Sequence, residues 1–257
     1  MPSNAANKRE QLRALQEAQD RQRRNRRLIG ISAAVIALVL IVVFAWMAIS
    51  SMNTRNQNAA AAVAPNATAN RDGIIMYPGK AKANAPVVHV YLDYQCPICH
   101  VFETRLGPTL DEMGQAGEVQ VINHTMTFMD GNLRNTASTR AAIAATCSDS
   151  QGVYPRFNST VFSNQSAEEV PGSVGYTDDL LRQTIPTQLG ITGQRLSDFQ
   201  ACYDTKAPQD FLDGVNRMAY DAQVTATPTI KVGDKVLSQL NPQSTTPEQF
   251  RQMVLQG

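Results

Sequence analysis

Two cysteines, Cys96 and Cys99, are separated by two residues at the point where an apolar run ends and a helical pattern begins. The run Val87–Leu92 predicts a buried strand, and Pro97 suits the first position of a helix. A helix start presents unpaired N–H groups and the positive end of the dipole, which stabilise a thiolate at Cys96. Cys99 lies one turn further along. The pair therefore suits thiol–disulfide exchange, with Cys96 as the attacking sulfur and Cys99 as the resolving one.

Zinc binding is the competing chemistry, because Cys-x-x-Cys supplies half of many zinc ligand sets. A closed site needs two further ligands. The chain has no second Cys-x-x-Cys, and His89, His100 and His124 are not spaced as a ligand pair. We therefore expect no metal. Thiol–disulfide exchange by the two cysteines needs no bound cofactor.

An uncharged stretch of 22 residues, Leu28 to Ile49, predicts one transmembrane helix. As a helix it rises about 33 Å, enough to cross the hydrocarbon core. Residues 1–27 carry eight basic and three acidic side chains. By the positive-inside rule this basic head stays in the cytoplasm, residues 28–50 anchor the chain and the remainder is exported. A cleaved signal peptide is the alternative, although the apolar run exceeds the roughly 7 to 15 residues typical of one.

Beyond the anchor, residues 51–71 lack periodicity and large apolar side chains, and they predict a flexible linker. Residues 28–257 carry 15 basic and 19 acidic side chains, so they offer no excess of positive charge for nucleic acid. The basic head beside an apolar span is explained by membrane orientation and anionic lipids. Residues 72–257 are long enough for one domain with its own core.

Few strands and many helices are predicted in this domain. The extended segments are 74–77, 87–92, 119–128, 229–232 and 235–237, the last two forming a hairpin. The helical segments are 97–115, with Pro108 as a candidate break, 136–146, 154–162, 177–189, 196–204, 209–221 and 247–255. This order indicates an α/β fold, with a small mixed sheet and an all-helical insertion at about 131–207.

Two motifs resemble the DsbA family of thioredoxin-fold thiol:disulfide oxidoreductases. They are Asp93-Tyr94-Gln95-Cys96-Pro97-Ile98-Cys99 after a strand, and Val224-Thr225-Ala226-Thr227-Pro228-Thr229 before the last hairpin. The plan is most similar to the membrane-anchored actinobacterial members, over residues 72–257.

The resemblance implies how a substrate would be held. Pro228 would be a cis proline facing the cysteines, and Thr227 before it would offer its backbone to an extended substrate strand. A proline at the mouth of a strand cannot donate to the sheet, which suits an edge, a bulge or a cis turn. We expect Pro97 and Ile98, between the cysteines, to contact the substrate as well.

Two positions depart from the family's pattern. Strongly oxidising members carry a histidine between the cysteines, whereas Ile98 cannot stabilise a thiolate, so a moderate oxidant is expected. Members often bury a carboxylate six residues before the first cysteine, where this chain has Val90. Proton transfer to Cys99 must then use water or a neighbour. Asp93 is the first candidate and His89 the second, with a local turn role for Asp93 as the alternative.

The other two cysteines, Cys147 and Cys202, both fall in the predicted helical insertion. They form either a structural disulfide between two helices or a pair of reduced, buried thiols. The resemblance to actinobacterial relatives favours the disulfide.

We therefore expect an extracytoplasmic enzyme, anchored in the cell membrane, that introduces disulfide bonds into exported proteins through Cys96 and Cys99. The resemblance implies unfolded exported proteins with cysteines as clients. It also implies a quinone-linked membrane reoxidase, related to DsbB or to vitamin K epoxide reductase (VKOR), as the partner. The alternatives are a disulfide reductase or isomerase, for example in cytochrome c maturation, and a redox-inert binding module or chaperone on the same fold.

Overall fold

The computed structural model describes residues 38–39, 41–44, 46–47, 64–166 and 168–256. The described residues between 38 and 47 are helical and belong to a part of the chain separate from the domain. Among the residues that the structure describes, no helix is both long and apolar enough to span a membrane. The predicted basic head at 1–27, most of the predicted anchor at 28–50 and residues 51–63 of the predicted linker lie outside the described residues.

In the described part of the domain, five strands form one mixed sheet in the order β1-β3-β2-β4-β5. They are β1 (Ile74–Ile75), β2 (Val87–Leu92), β3 (Gln120–Thr125), β4 (Thr229–Val232) and β5 (Lys235–Val236). The central strand β2 is parallel to β3 and antiparallel to β4. Its last three residues are buried, although neighbouring residues point to opposite faces of the sheet. Burial on both faces explains why β2 is apolar except at His89.

Helices cover the sheet. They are α1 (Pro97–Arg105), α2 (Gly107–Gln115), α3 (Met129–Leu133), α4 (Ala137–Asp149), α5 (Tyr154–Ser163), α6 (Ile185–Gln188), α7 (Gln194–Asp204), α8 (Gln209–Asp221) and α9 (Pro247–Gln256), with a π-helical turn at Leu180–Thr184 running into α6. We call α3 to α7 the helical lobe. The predicted α/β fold, with a mixed sheet and many helices, is confirmed.

Alternate residues of β2 point into two apolar cores. Val90 and Leu92 belong to the large core, where Phe102 of α1 meets Phe250 of α9 edge to face at 5.7 Å. Tyr91 points to the opposite face, into a smaller core that α8 helps to cover. Packing on both faces therefore fixes the strand whose end leads to Cys96.

A disulfide between Cys147 of α4 and Cys202 of α7 crosses the helical lobe. The two Cα atoms are 6.0 Å apart, within the ordinary range for such a bond. Of the two states left open by the sequence, the structure contains the bridged one.

The linker prediction is wrong for residues 64–71, which are folded against the domain. Ala64 is buried, and the Asn66 N–H and side-chain amide donate to the two carboxylate oxygens of Asp149 at 2.9 and 2.8 Å. The Ile75 N–H also donates to the Asn66 carbonyl. Small and polar side chains hide this segment from a search for apolar periodicity, because its order comes from hydrogen bonds to distant residues.

A hydrogen-bonded pair of histidines, His124 and His89, makes the free energy of unfolding depend on pH. The His124 Nδ1–H donates to the Asp72 carbonyl at 2.5 Å, and its Nε2 accepts from His89 Nδ1–H at 2.9 Å. Burial lowers the pKa of His124 to about 4, whereas an unfolded histidine titrates near its ordinary value of about 6.5. The unfolded chain therefore binds the proton first, and the contribution of His124 to stability falls as the pH drops from about 6.5 towards about 4.

We expect the midpoint of His124→Gln, compared with that of the parent, to rise as the pH drops from about 6.5 towards about 4, because the titrating ring is gone. The measurement is the urea midpoint of the full-length chain at pH 7.5, 6, 5 and 4. His100→Gln, which removes a ring outside this pair, controls for the loss of a histidine as such. A difference in midpoint between His124→Gln and the parent that is the same at pH 7.5 and at pH 4 contradicts the prediction.

Candidate active site

Cys96 and Cys99 lie where the end of β2 meets the start of α1. Cys96 occupies the N-cap position, Pro97 lies in the first turn, and the Cys96 carbonyl accepts the N–H of His100. Both thiols are free, with Cys96 7% and Cys99 0% exposed. The first sulfur is thus at the helix terminus and the second is enclosed one turn below it.

The two thiols differ sharply in acidity. A hydrogen bond from the Cys99 thiol, with smaller contributions from Thr227 and the N–H groups of Cys99 and Ile98, lowers the pKa of Cys96 to about 6, against the opposing effect of burial. Burial raises the pKa of Cys99 well above its usual value. At neutral pH Cys96 is therefore a thiolate and Cys99 a thiol, which is the division of roles that exchange chemistry requires.

A cis peptide bond between Thr227 and Pro228 faces the cysteines. The Cys96 Sγ lies 3.4 Å from the Thr227 carbonyl oxygen, to which the thiol form donates a hydrogen bond. β4 begins at Thr229 and pairs with β2 at Tyr91, so the sheet itself brings this segment to the end of β2. The structure thus unites two motifs that are 131 residues apart in the sequence.

The other predicted substrate contacts, Pro97 and Ile98, form exposed apolar surface next to Cys96. Ile98 is 38% exposed. Their location is compatible with contact to an extended polypeptide at Cys96.

Asp93, three residues before Cys96, is completely buried. Its carboxyl group points towards the helical lobe. It accepts hydrogen bonds from the N–H groups of Gln95 and Met129 and from the Ser138 hydroxyl, at 2.9, 3.0 and 2.5 Å. Burial raises its pKa to about 7. The hydrogen bond from the Gln95 N–H gives Asp93 the local turn role that the sequence left as the alternative. Proton transfer from Asp93 to Cys99 stays a prediction.

The remaining candidates lie apart from the sulfurs. Val90 is buried in the apolar core, so this position supplies no carboxylate. His89 bonds to His124, and His100 Nδ1–H donates to the Phe162 carbonyl at 2.8 Å, tying α1 to α5. In the described ranges, no group of three or more His, Cys, Asp or Glu side chains is arranged to hold a metal.

Sequence reasoning missed the polar side chains that surround the cysteine loop, namely Gln95, Asp130, Asn135 and Ser138. Asn135 accepts the N–H of Ala137, a local signal for the start of α4. No local signal connects that helix start to Gln95, whose contacts are formed only when the lobe packs on the sheet.

This sheet order, with the dithiol on the first helix after the central strand and a cis proline opposite it, defines the class as the thioredoxin fold. Residues 73–254 match the Thioredoxin_4 family model, described as thioredoxin, which covers more than half of the chain. The chain belongs to this family. No curated protein sequence matches it significantly.

Solved structures show the same fold at low sequence identity. Reduced DsbA from Mycobacterium tuberculosis aligns with a TM-score of 0.53 and 20% identity, covering 72% of this chain and 98% of that one. MdbA from Actinomyces oris, a thiol-disulfide oxidoreductase, gives 0.60 and 14%, covering 76% and 92%. Oxidised BdbD from Bacillus subtilis gives 0.54 and 21%, covering 71% and 94%.

Proposed function

We propose that this protein is an extracytoplasmic thiol:disulfide oxidoreductase that forms disulfide bonds in exported proteins. The observation that carries the proposal is the unequal dithiol: an acidic Cys96 at a helix terminus beside the cis proline, and a buried, protonated Cys99. The folds shared with DsbA, MdbA and BdbD support the same activity.

In the proposed reaction the enzyme begins with a Cys96–Cys99 disulfide. A client thiolate attacks Cys96 Sγ, the Cys96–Cys99 bond breaks, and Cys99 leaves and takes up a proton. A second client thiolate attacks the client sulfur of the mixed disulfide, and Cys96 leaves as a thiolate. The client loses two electrons to the dithiol, and Cys96 is a good leaving group because its pKa is lowered to about 6.

The backbone at Thr227 and Pro228 would hold the client beside Cys96. The Thr227 carbonyl oxygen, 3.4 Å from the Cys96 sulfur, is a suitable acceptor for an extended client strand. Pro97 and Ile98 would add apolar contact on the other side. Neither contact depends on one particular client side chain, which suits an enzyme with many clients.

The proposed setting is the outer face of the cell membrane. Residues 28–50 would anchor the chain, with residues 1–27 in the cytoplasm, and the uncharged 22-residue run supports this. A reduced enzyme must pass its electrons on, so the proposal includes a quinone-linked membrane reoxidase of the DsbB or VKOR type. Like the direction of transfer, these parts of the proposal rest on the sequence and on chemical necessity.

Reduction or isomerisation of disulfides is the second candidate function. Ile98 favours this function, because it offers no charge to stabilise the thiolate of reduced Cys96. A histidine at this position would stabilise the reduced form and make the protein a stronger oxidant.

The reduction potential of the full-length chain separates the two directions. We expect equilibration with glutathione to give a value nearer to about −120 mV, as for DsbA, than to about −270 mV, as for thioredoxin. A value near that of thioredoxin assigns the protein to reduction. Trapping with Cys99→Ser in the native host adds the clients: exported proteins with cysteine pairs support oxidation, and capture of cytochrome-maturation proteins alone contradicts it.

A further inference from the structure

The loop that carries the attacking cysteine contains two buried polar side chains, Asp93 and Gln95, which are 0% and 5% exposed. The loop is a tight turn, because the Cys96 N–H donates to the Asp93 carbonyl at 3.0 Å. The Gln95 N–H donates to the Asp93 carboxylate at 2.9 Å. A displacement of the Asp93 side chain is therefore transmitted to Cys96 within a single turn.

The other bonds of the Asp93 carboxyl group reach the helical lobe. The Ser138 hydroxyl, in the first turn of α4, donates to Oδ1 at 2.5 Å, and the Met129 N–H at the start of α3 donates to Oδ2 at 3.0 Å. Ser138 Oγ also accepts from Gln95 Nε2 at 2.9 Å. Asp93, Gln95 and Ser138 thus form a closed set of bonds between loop and lobe.

Two further residues complete the attachment. Gln95 Nε2 lies 2.9 Å from both Asp130 Oδ1 and Asn135 Oδ1, and Asn135 Nδ2 donates to Gln95 Oε1 at 2.8 Å. The Asp130 carboxylate accepts the N–H groups of Ser138 and Thr139 at 2.8 and 3.0 Å, which caps α4. The cysteine loop is therefore held against the positive end of a helix, where negative charge is stabilised.

We propose that Asp93 is a positioning residue: its ionised carboxyl group fixes the Cys96 loop against α4, and protonation of that group loosens the loop and changes the reactivity of Cys96. The proposal rests on the proposed function, in which Cys96 is the attacking sulfur. It differs from the proton transfer predicted for Asp93, because the carboxyl group acts through the loop and not on a sulfur.

Protonation weakens the attachment for a simple reason. The carboxylate accepts three donors, and a protonated carboxyl group has one O–H that must face one of them. Burial raises the pKa of Asp93 to about 7, and the charge of Asp130 raises it further, against the hydrogen bonds that lower it. The loosening therefore falls near neutral pH.

The other titratable groups that face Asp93 do not account for a change near pH 7. Tyr176, from the lobe, has its pKa raised by burial and stays protonated. On α1, the pKa of Cys99 is raised by burial, and Cys96 ionises at about 6. From α3, Asp130 contributes its carboxylate. A change in Cys96 reactivity near pH 7 is thus attributable to Asp93.

The test is the rate at which iodoacetamide alkylates Cys96 in the reduced full-length chain, from pH 4 to 9, followed by mass spectrometry of the peptide that carries Cys96. We expect one inflection near pH 6 from Cys96 and a second near pH 7 from Asp93. Asp93→Asn should remove the second inflection. Ser138→Ala should keep it but move it to higher pH by about one unit, because a donor to the carboxylate is lost.

Asp149→Asn is the matched control. Asp149 is also a buried carboxyl group with a raised pKa and bonds to Asn66 instead of to the cysteine loop. Its substitution should leave both inflections in place, and urea unfolding of each variant separates loss of fold from loss of positioning. An Asp93→Asn profile that superimposes on the parent's overturns the proposal. A parent without the inflection near pH 6 instead contradicts the proposed function, so the two failures are distinguishable.

Discussion

Replacing Cys96 by serine is expected to abolish disulfide formation in a reduced client, leaving only the uncatalysed rate. The reason is that Cys96 is the acidic sulfur at the helix terminus, whereas Cys99 is enclosed and stays protonated at neutral pH. The measurement is the recovery of native disulfides in a reduced secreted protein, with the full-length chain supplied in its oxidised form.

Cys99→Ser provides the contrast for this prediction. It keeps the attacking sulfur, so it should accumulate covalent complexes with clients that resolve slowly, whereas Cys96→Ser should form none. Urea unfolding of both variants checks that each is folded. Transfer activity retained by Cys96→Ser contradicts the assignment of the nucleophile.

Removal of the Cys147–Cys202 disulfide is expected to lower the free energy of unfolding by about 4 kcal/mol, as an upper figure. The bond joins residues 55 positions apart, and closing a loop of that length restricts the unfolded chain by about this amount. The double variant Cys147→Ala/Cys202→Ala, unfolded in urea, measures the effect. It removes both sulfurs and so leaves no unpaired thiol in the helical lobe.

The matched control is Cys96→Ala/Cys99→Ala, which deletes the other pair of thiols and keeps the bridge. It should lower the free energy of unfolding by less than the bridge variant does, measured against the parent with Cys96 and Cys99 reduced and the lobe disulfide intact, since it changes no cross-link. Equal stability of the bridge variant and the parent would show that the lobe holds together without its cross-link.

The sequence predicted the parts of the fold whose signals are local and strong. The β2 run, the dithiol at the start of α1 and the β4–β5 hairpin follow from apolar patterning, from a proline at a helix start and from a turn pair, all within a few residues. The break between α1 and α2 is one example. Pro108, in the first turn of α2, has no N–H to continue the preceding helix.

Other parts depend on distant contacts and could not be predicted in this way. The five-residue helix α3 has no capping side chain, and its first N–H bonds to Asp93, 36 residues earlier. The strand predicted over 119–128 ends at Thr125. The chain then turns towards the lobe, where α3 begins at Met129. In the candidate site, the partners of Asp93 and Gln95 come from helix starts that become neighbours only in the folded domain.

The disulfide in the lobe has a consequence for how the chain matures. Its cysteines are the third and fourth in the sequence, and the reactive pair is the first and second. Four cysteines allow three connectivities, and this one is consecutive. A chain that emerges amino-terminus first exposes Cys96 and Cys99 before Cys147 and Cys202. The first two cysteines can therefore pair before the last two appear. In the proposed extracytoplasmic setting, oxidation in order of emergence would pair Cys96 with Cys99 and Cys147 with Cys202 directly, without reshuffling of mispaired bonds.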